Sequence, residues 1–110
     1  MSFESLVSSP GRLRILTALA SEPVQRFVAL RDRTGLTDGN LATHARRLQS
    51  AGFVAIHKSI ADGKPLTTYQ LTREGRDALA AHVRALTSAL EPVGSPVAPG
   101  REEASDDWVD

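Results

Sequence analysis

Gly39, Asn40, Thr43, Arg46, Arg47 and Ser50 follow one another at separations of one or three residues. On a helix turning about 100° per residue they share one face, while Leu41, Ala45 and Leu48 share the opposite one. The first set has a definite chemistry. Asparagine can bond an adenine edge with two prongs, threonine offers a hydroxyl and a methyl, and arginine reads guanine or grips phosphate. Gly39 has no side chain, so backbone N–H groups at the start of such a helix could approach a phosphate closely. His44 and Ala42 lie on the flanks of this face, and Thr37 stands just ahead of it. Thr37, Asn40, Thr43, His44 and Arg47 are the candidates for contacts at or near the bases, and Arg46 for phosphate. Two arginines on a merely solvated helix face would look much the same, so the elements around them must discriminate.

A helix over these residues has clear local signals. Thr37 is an N-cap type, and Asp38 puts a carboxylate in the first turn, where the helix dipole favours it. The helix should close near Gly52. Just before it, Phe27, Leu30 and Thr34 share a helical face, and Gly35 suits a left-handed stop. Leu36 then turns back toward the core. An earlier helix is expected from Ser9, with Ser9 as cap and Pro10 at the first helical position. It carries Leu13, Ile15, Leu16 and Leu19 and ends near Ala20, ahead of Pro23.

After Gly52 the pattern changes to strands. Phe53 to Ser59 is β-branched and aromatic in character. Pro65 to Leu71 alternates, with Thr67, Tyr69 and Leu71 on one face. Asp62-Gly63 between them is a strong hairpin signal. The hairpin adds Lys58, Lys64, Thr67 and Thr68, suited to phosphate or minor-groove contacts. Thr72 then caps a last helix with Glu74 in its first turn. Leu79, Val83, Leu86 and Leu90 form a heptad-like seam along it. The order is helix, helix, helix, strand, strand, helix. The expected fold is mainly α with a β-hairpin wing: a winged helix-turn-helix with a three-helix core and a C-terminal dimerisation helix.

Net charge is zero, but its distribution is uneven. Residues 1–90 carry 12 Lys and Arg against 7 Asp and Glu, whereas residues 91–110 carry Arg101 against six acids. A basic body suggests a polyanion partner, double-stranded DNA. Pro92, Gly94, Pro96, Pro99 and Gly100 mark 91–110 as a flexible acidic tail, separate from a domain over 1–90. Near its end stands Asp106-Asp107-Trp108-Val109-Asp110. This segment could dock on the basic groove and compete with DNA, bind another protein, or serve only as a solubilising tail.

Arg12-Leu13-Arg14-Ile15-Leu16, Phe27 to Leu30, and Thr34 through Leu41 together look like the small winged-helix transcriptional regulators of the MarR/ArsR-like group. So do Thr43-His44, Leu48, Ala51 to Val54, Lys58, Gly63-Lys64-Pro65, Thr67 to Tyr69 and Leu71 to Arg76. The similarity covers about residues 9–90. It implies a winged-helix fold, homodimerisation and operator binding, and nothing about the target gene. Ala45, in place of a larger aliphatic residue, Gly11 and the acidic tail depart from the group's pattern.

The Leu79, Val83, Leu86 and Leu90 stripe reads as a homodimer seam, assisted by the first helix and by Phe3, Leu6 and Val7; packing within one chain is the simpler alternative. A two-fold dimer would set two reading helices about 34 Å apart and so read an inverted repeat. The expected function is sequence-specific transcriptional regulation, with repression the favoured sign. The alternative is a winged-helix module that binds protein, since fold does not fix function. The polar face around Asn40 argues against that.

No metal site or other cofactor is expected. Cysteine is absent, and His44, His57 and His82 do not cluster in sequence. No nucleophile elbow, phosphate loop or metal-hydrolase spacing occurs, so no catalytic residues are expected. A small-molecule effector site at a dimer interface stays open, and no residue pattern names its ligand. No apolar run approaches the ~18 residues of a membrane span. No Lys or Arg precedes Pro10, so neither a membrane partner nor a secretory signal is expected. Lack of cysteine fits a cytoplasmic protein.

Overall fold

The computed structural model describes residues 6–7 and 9–90. The acidic tail and Trp108, like Phe3, lie outside the described residues. Along the chain run α1 (Pro10–Ser21), β1 (Val24–Arg26), α2 (Phe27–Thr34), α3 (Asp38–Ser50), β2 (Val54–Ala61), β3 (Lys64–Leu71) and α4 (Arg73–Leu90). The strands form one antiparallel sheet in the order β1-β3-β2. Among the described residues, no helix is long and apolar enough to cross a membrane.

Local chemistry accounts for most element ends. Gly35 closes α2 at φ 71°, a left-handed conformation that costs glycine nothing. Thr37 caps α3, its Oγ1 accepting from the Asn40 N–H at 3.2 Å. At the other end of α3 the Phe53 N–H donates to the Leu48 carbonyl and the Gly52 N–H to that of Gln49, both at 2.9 Å. That pair of bonds is a Schellman closure, which spends two otherwise unpaired carbonyls. Asp62 and Gly63 both have positive φ between the paired Ala61 and Lys64, as a two-residue hairpin turn requires.

One expected cap is corrected. Ser9 occupies the N-cap position of α1, but its side chain makes no capping bond. Its carbonyl accepts the first bond of the helix, from the Leu13 N–H at 2.8 Å, and Pro10 follows at the start of the first turn, where no N–H is needed.

The expected element order is also corrected by β1. Val24-Gln25-Arg26 pairs with Gln70, Tyr69 and Thr68 and makes the hairpin a three-stranded sheet. Three residues after a proline carry no readable alternation; the partner strand makes them a strand. Gln25 anchors the turn from inside, its Nε2 donating to the Ala18 and Glu22 carbonyls at 2.8 Å each.

One apolar cluster fills the interior. Ile15, Leu16 and Leu19 of α1 meet Leu30, then Leu41, Ala45 and Leu48 of α3, then Val54, Tyr69, Leu71, Ala78 and Leu79. Leu6 and Val7 belong to it as well, Val7 with no exposure at all. These two therefore pack in their own chain's core, where the sequence suggested a seam with a partner. Ala45 is fully buried.

Candidate nucleic-acid interface

The buried stripe Leu41, Ala45 and Leu48 fixes the rotation of α3. Gly39, Asn40, Thr43, Arg46, Arg47 and Ser50 are exposed in consequence. Asn40, Thr43 and Arg47 run along the middle of that face at helical spacing. Arg46 and Arg47 diverge. Arg46 leans toward the hairpin, where it lines a cleft with Gln49, Lys58 and Thr67. Arg47 lines a smaller hollow on the other flank with Leu6, Ser50 and Ala51. Thr37 has its hydroxyl oxygen committed to the cap. Asp38 ties the helix-turn-helix together by accepting from Arg31 Nη1 at 3.1 Å.

The cleft between α3 and the hairpin has a volume of about 550 Å³ and an apolar floor of Phe27, Ala42, Ile56 and Tyr69. The Phe27 and Tyr69 rings stand 6.1 Å apart, tilted by 41°. Burial raises the Tyr69 phenol above its ordinary value, partly offset by the Arg46 charge. Register divides the hairpin residues. Lys58 pairs with Thr67 and both turn to the cleft, whereas Thr68 pairs with His57 on the opposite face. Lys64 sits at the exposed tip. Gln49 is not among the residues expected from the sequence, although its spacing from Arg46 shows it: three residues on, it lies on the same side of α3.

His44 is placed differently from Asn40 and Thr43. It is half-buried against α1, where Arg12 Nη1 donates to its Nδ1 at 3.4 Å. Gly11 leaves room for the imidazole: a β-carbon there would come within 2.6 Å of His44 Nε2, so the ring would have to shift. Arg12 is itself buried and donates from Nε to the Leu6 carbonyl at 2.6 Å. Burial first, then the Arg47 charge, lower the Arg12 pKa. Arg12 thus adds to the count of basic residues without reaching the surface.

Burial, followed by the Arg12 and Arg47 charges, holds the His44 imidazole below its ordinary value of 6.5. The folded state thus binds fewer protons at His44 than the unfolded chain does. Its stability contribution is complete above that unfolded value and is lost as pH falls below it toward the lowered folded value. Thermal unfolding followed against pH should show this loss, and His44→Gln should flatten that part of the profile. Identical profiles for the two chains would remove the assignment.

Residues 12–90 match the family model described as a winged helix DNA-binding domain. The chain belongs to the winged helix DNA-binding domain family. This winged helix is 30% identical to a transcriptional regulator homologue from Pyrococcus horikoshii, with a TM-score of 0.69 over 80% of this chain and 90% of that one. A MarR-family regulator from Silicibacter pomeroyi shares the fold at 22% identity, with a TM-score of 0.60 over 84% of this chain and 63% of that one. An uncharacterized protein of Methanocaldococcus jannaschii is 35% identical over 71 residues, which are 64% of this chain and 77% of that protein. The winged helix is thus a DNA-binding domain, with α3 as its second helix-turn-helix element and β2–β3 as its wing.

Proposed function

We propose that the winged helix binds an inverted-repeat operator as a homodimer and acts as a repressor. The observation that carries this reading is the exposed polar face of α3, with Asn40, Thr43 and Arg47 along its middle and Lys58 of the wing across the cleft from Arg46. In this reading α3 enters the major groove. Asn40, Thr43 and Arg47 meet base edges, Gly39 lets the backbone approach a phosphate, and Arg46, Lys58, Thr67 and the wing-tip Lys64 track the backbone. His44 holds the middle of α3 against α1, and Thr68 serves from the outer face of the wing. Residues 1–90 act as the DNA-binding and dimerising unit.

The dimer reading rests on α4. Leu79 is buried in its own domain, but Val83, Leu86 and Leu90 beyond it are exposed by 50%, 49% and 83%. Three apolar residues at spacings of three and four on one helix face make a seam. Two copies joined along it would carry their reading helices about one DNA turn, roughly 34 Å, apart.

Selection of fragmented genomic DNA on the purified protein should enrich an inverted repeat with that spacing. Affinity for the enriched duplex should fall with salt at a slope of about −0.9 per phosphate neutralised. Arg47→Ala should weaken binding by about 1–3 kcal/mol and relax preference at one position of each half-site. Because Arg47 is exposed, unfolding should be unchanged. Undiminished affinity in that variant would show that Arg47 does not face the bases.

A further inference from the structure

The cleft between α3 and the wing has an unusual combination of walls. Its rim carries two cations, Arg46 and Lys58, and two neutral polar side chains, Gln49 and Thr67, while Phe27, Ile56 and Tyr69 form an apolar, partly aromatic floor. None of the residues lining it is acidic. The ion pairs among the described residues use Arg31 and Arg33, which do not line it. A bare phosphate would satisfy the cations and leave the floor unused. The complementary ligand is a flat apolar ring flanked by carboxylates.

The chain contains such a segment. Asp106-Asp107-Trp108-Val109-Asp110 sets an indole and an isopropyl group among three carboxylates, within a stretch of six acids against one arginine. It is within reach. From Leu90 to Trp108 an extended chain spans roughly 60 Å at about 3.3 Å per residue. A domain of this size has a radius of gyration of about 13 Å, so the segment can meet any face of it. Tethering raises its local concentration to the millimolar range, where weak contacts compete.

We propose that residues 106–110 dock in the α3–wing cleft, with the indole on the Phe27–Tyr69 floor and the Asp106 and Asp107 carboxylates against Arg46 and Lys58. Ion pairs at an exposed rim hold weakly. The aromatic area and the guanidinium of Arg46 over an indole face add what charge alone lacks. The docked segment covers the side of α3 and the wing strand that would track a DNA backbone, so it competes with DNA. The competition rests on the proposed DNA-binding surface; the docking does not.

Trp108 is the only tryptophan, so its fluorescence reports the segment without labels. In the full chain without DNA, its emission should be blue-shifted and protected from acrylamide. Asp106→Asn/Asp107→Asn should abolish both effects, and so should Arg46→Glu/Lys58→Glu, whose side chains are exposed and outside the core. Added duplex should release the indole. If the segment occupies about nine molecules in ten, apparent DNA affinity is reduced about tenfold. The Asp106→Asn/Asp107→Asn chain should then bind about tenfold more tightly at low salt. An unshifted, fully quenchable Trp108 overturns the docking, and so does protection that survives Arg46→Glu/Lys58→Glu. Protection without any gain in DNA affinity overturns the competition. If no DNA is bound at all, the DNA-free fluorescence still decides the docking.

Discussion

Gly75→Ala should destabilise the domain by about 3 kcal/mol, at the severe end of overpacking, although alanine is the better helix residue by about 1 kcal/mol. Gly75 is buried in the first turn of α4, and a β-carbon there would run into the Phe53 carbonyl oxygen, with Leu71 Cδ1 also at 2.9 Å. The obstacle is backbone, so no rotamer change relieves it. Nor can α4 tilt away cheaply. Thr72 Oγ1 accepts from the Gly75 N–H at 3.0 Å and donates to the Gly52 carbonyl at 2.6 Å. The Thr72 N–H donates to the same Phe53 carbonyl at 3.1 Å. The start of α4 is thus fastened to the turn that ends α3. Denaturant unfolding of Gly75→Ala beside Arg76→Ala, an exposed neighbour, checks this. A Gly75→Ala chain as stable as its control would mean that the α4–Phe53 approach is looser than described.

Leu86→Asp should leave the fold intact, yield monomers, and weaken operator binding by at least about a hundredfold. Leu86 is half-exposed within a chain, so an aspartate there costs the monomer little. In the proposed seam it would bury an unpaired charge on both sides of the two-fold axis, which an interface does not tolerate. Loss of the second half-site removes the avidity that linked sites supply, a factor of about 10² to 10⁴. Sedimentation and duplex titration on the same sample measure both effects. Leu79→Asp is the informative contrast, because Leu79 is in the core and its replacement should unfold the domain. A Leu86→Asp chain that stays dimeric would move the seam off α4.

The sequence by itself determined the features governed by near neighbours. The Thr37 cap, the left-handed Gly35, the Asp62-Gly63 turn and the inward phase of Leu41, Ala45 and Leu48 all follow from the stereochemistry of a few adjacent residues. The exposed face of α3 follows from that phase, so the candidate reading residues were legible before any packing was known. Tertiary structure decided the rest. Val24-Gln25-Arg26 became a strand because β3 lies beside it. Arg12 left the surface to bond the Leu6 carbonyl, and His44 turned from the reading face to the space opened by Gly11. Alternation along the strand already separates Thr67 from Thr68, but the packing of the hairpin on α3 decides that Lys58 and Thr67 line the cleft. Gly75 is required by a carbonyl more than twenty residues earlier in the chain. Spacing along a chain records which side chains share a face. What that face meets is set by contacts between distant segments, formed only when the whole core closes.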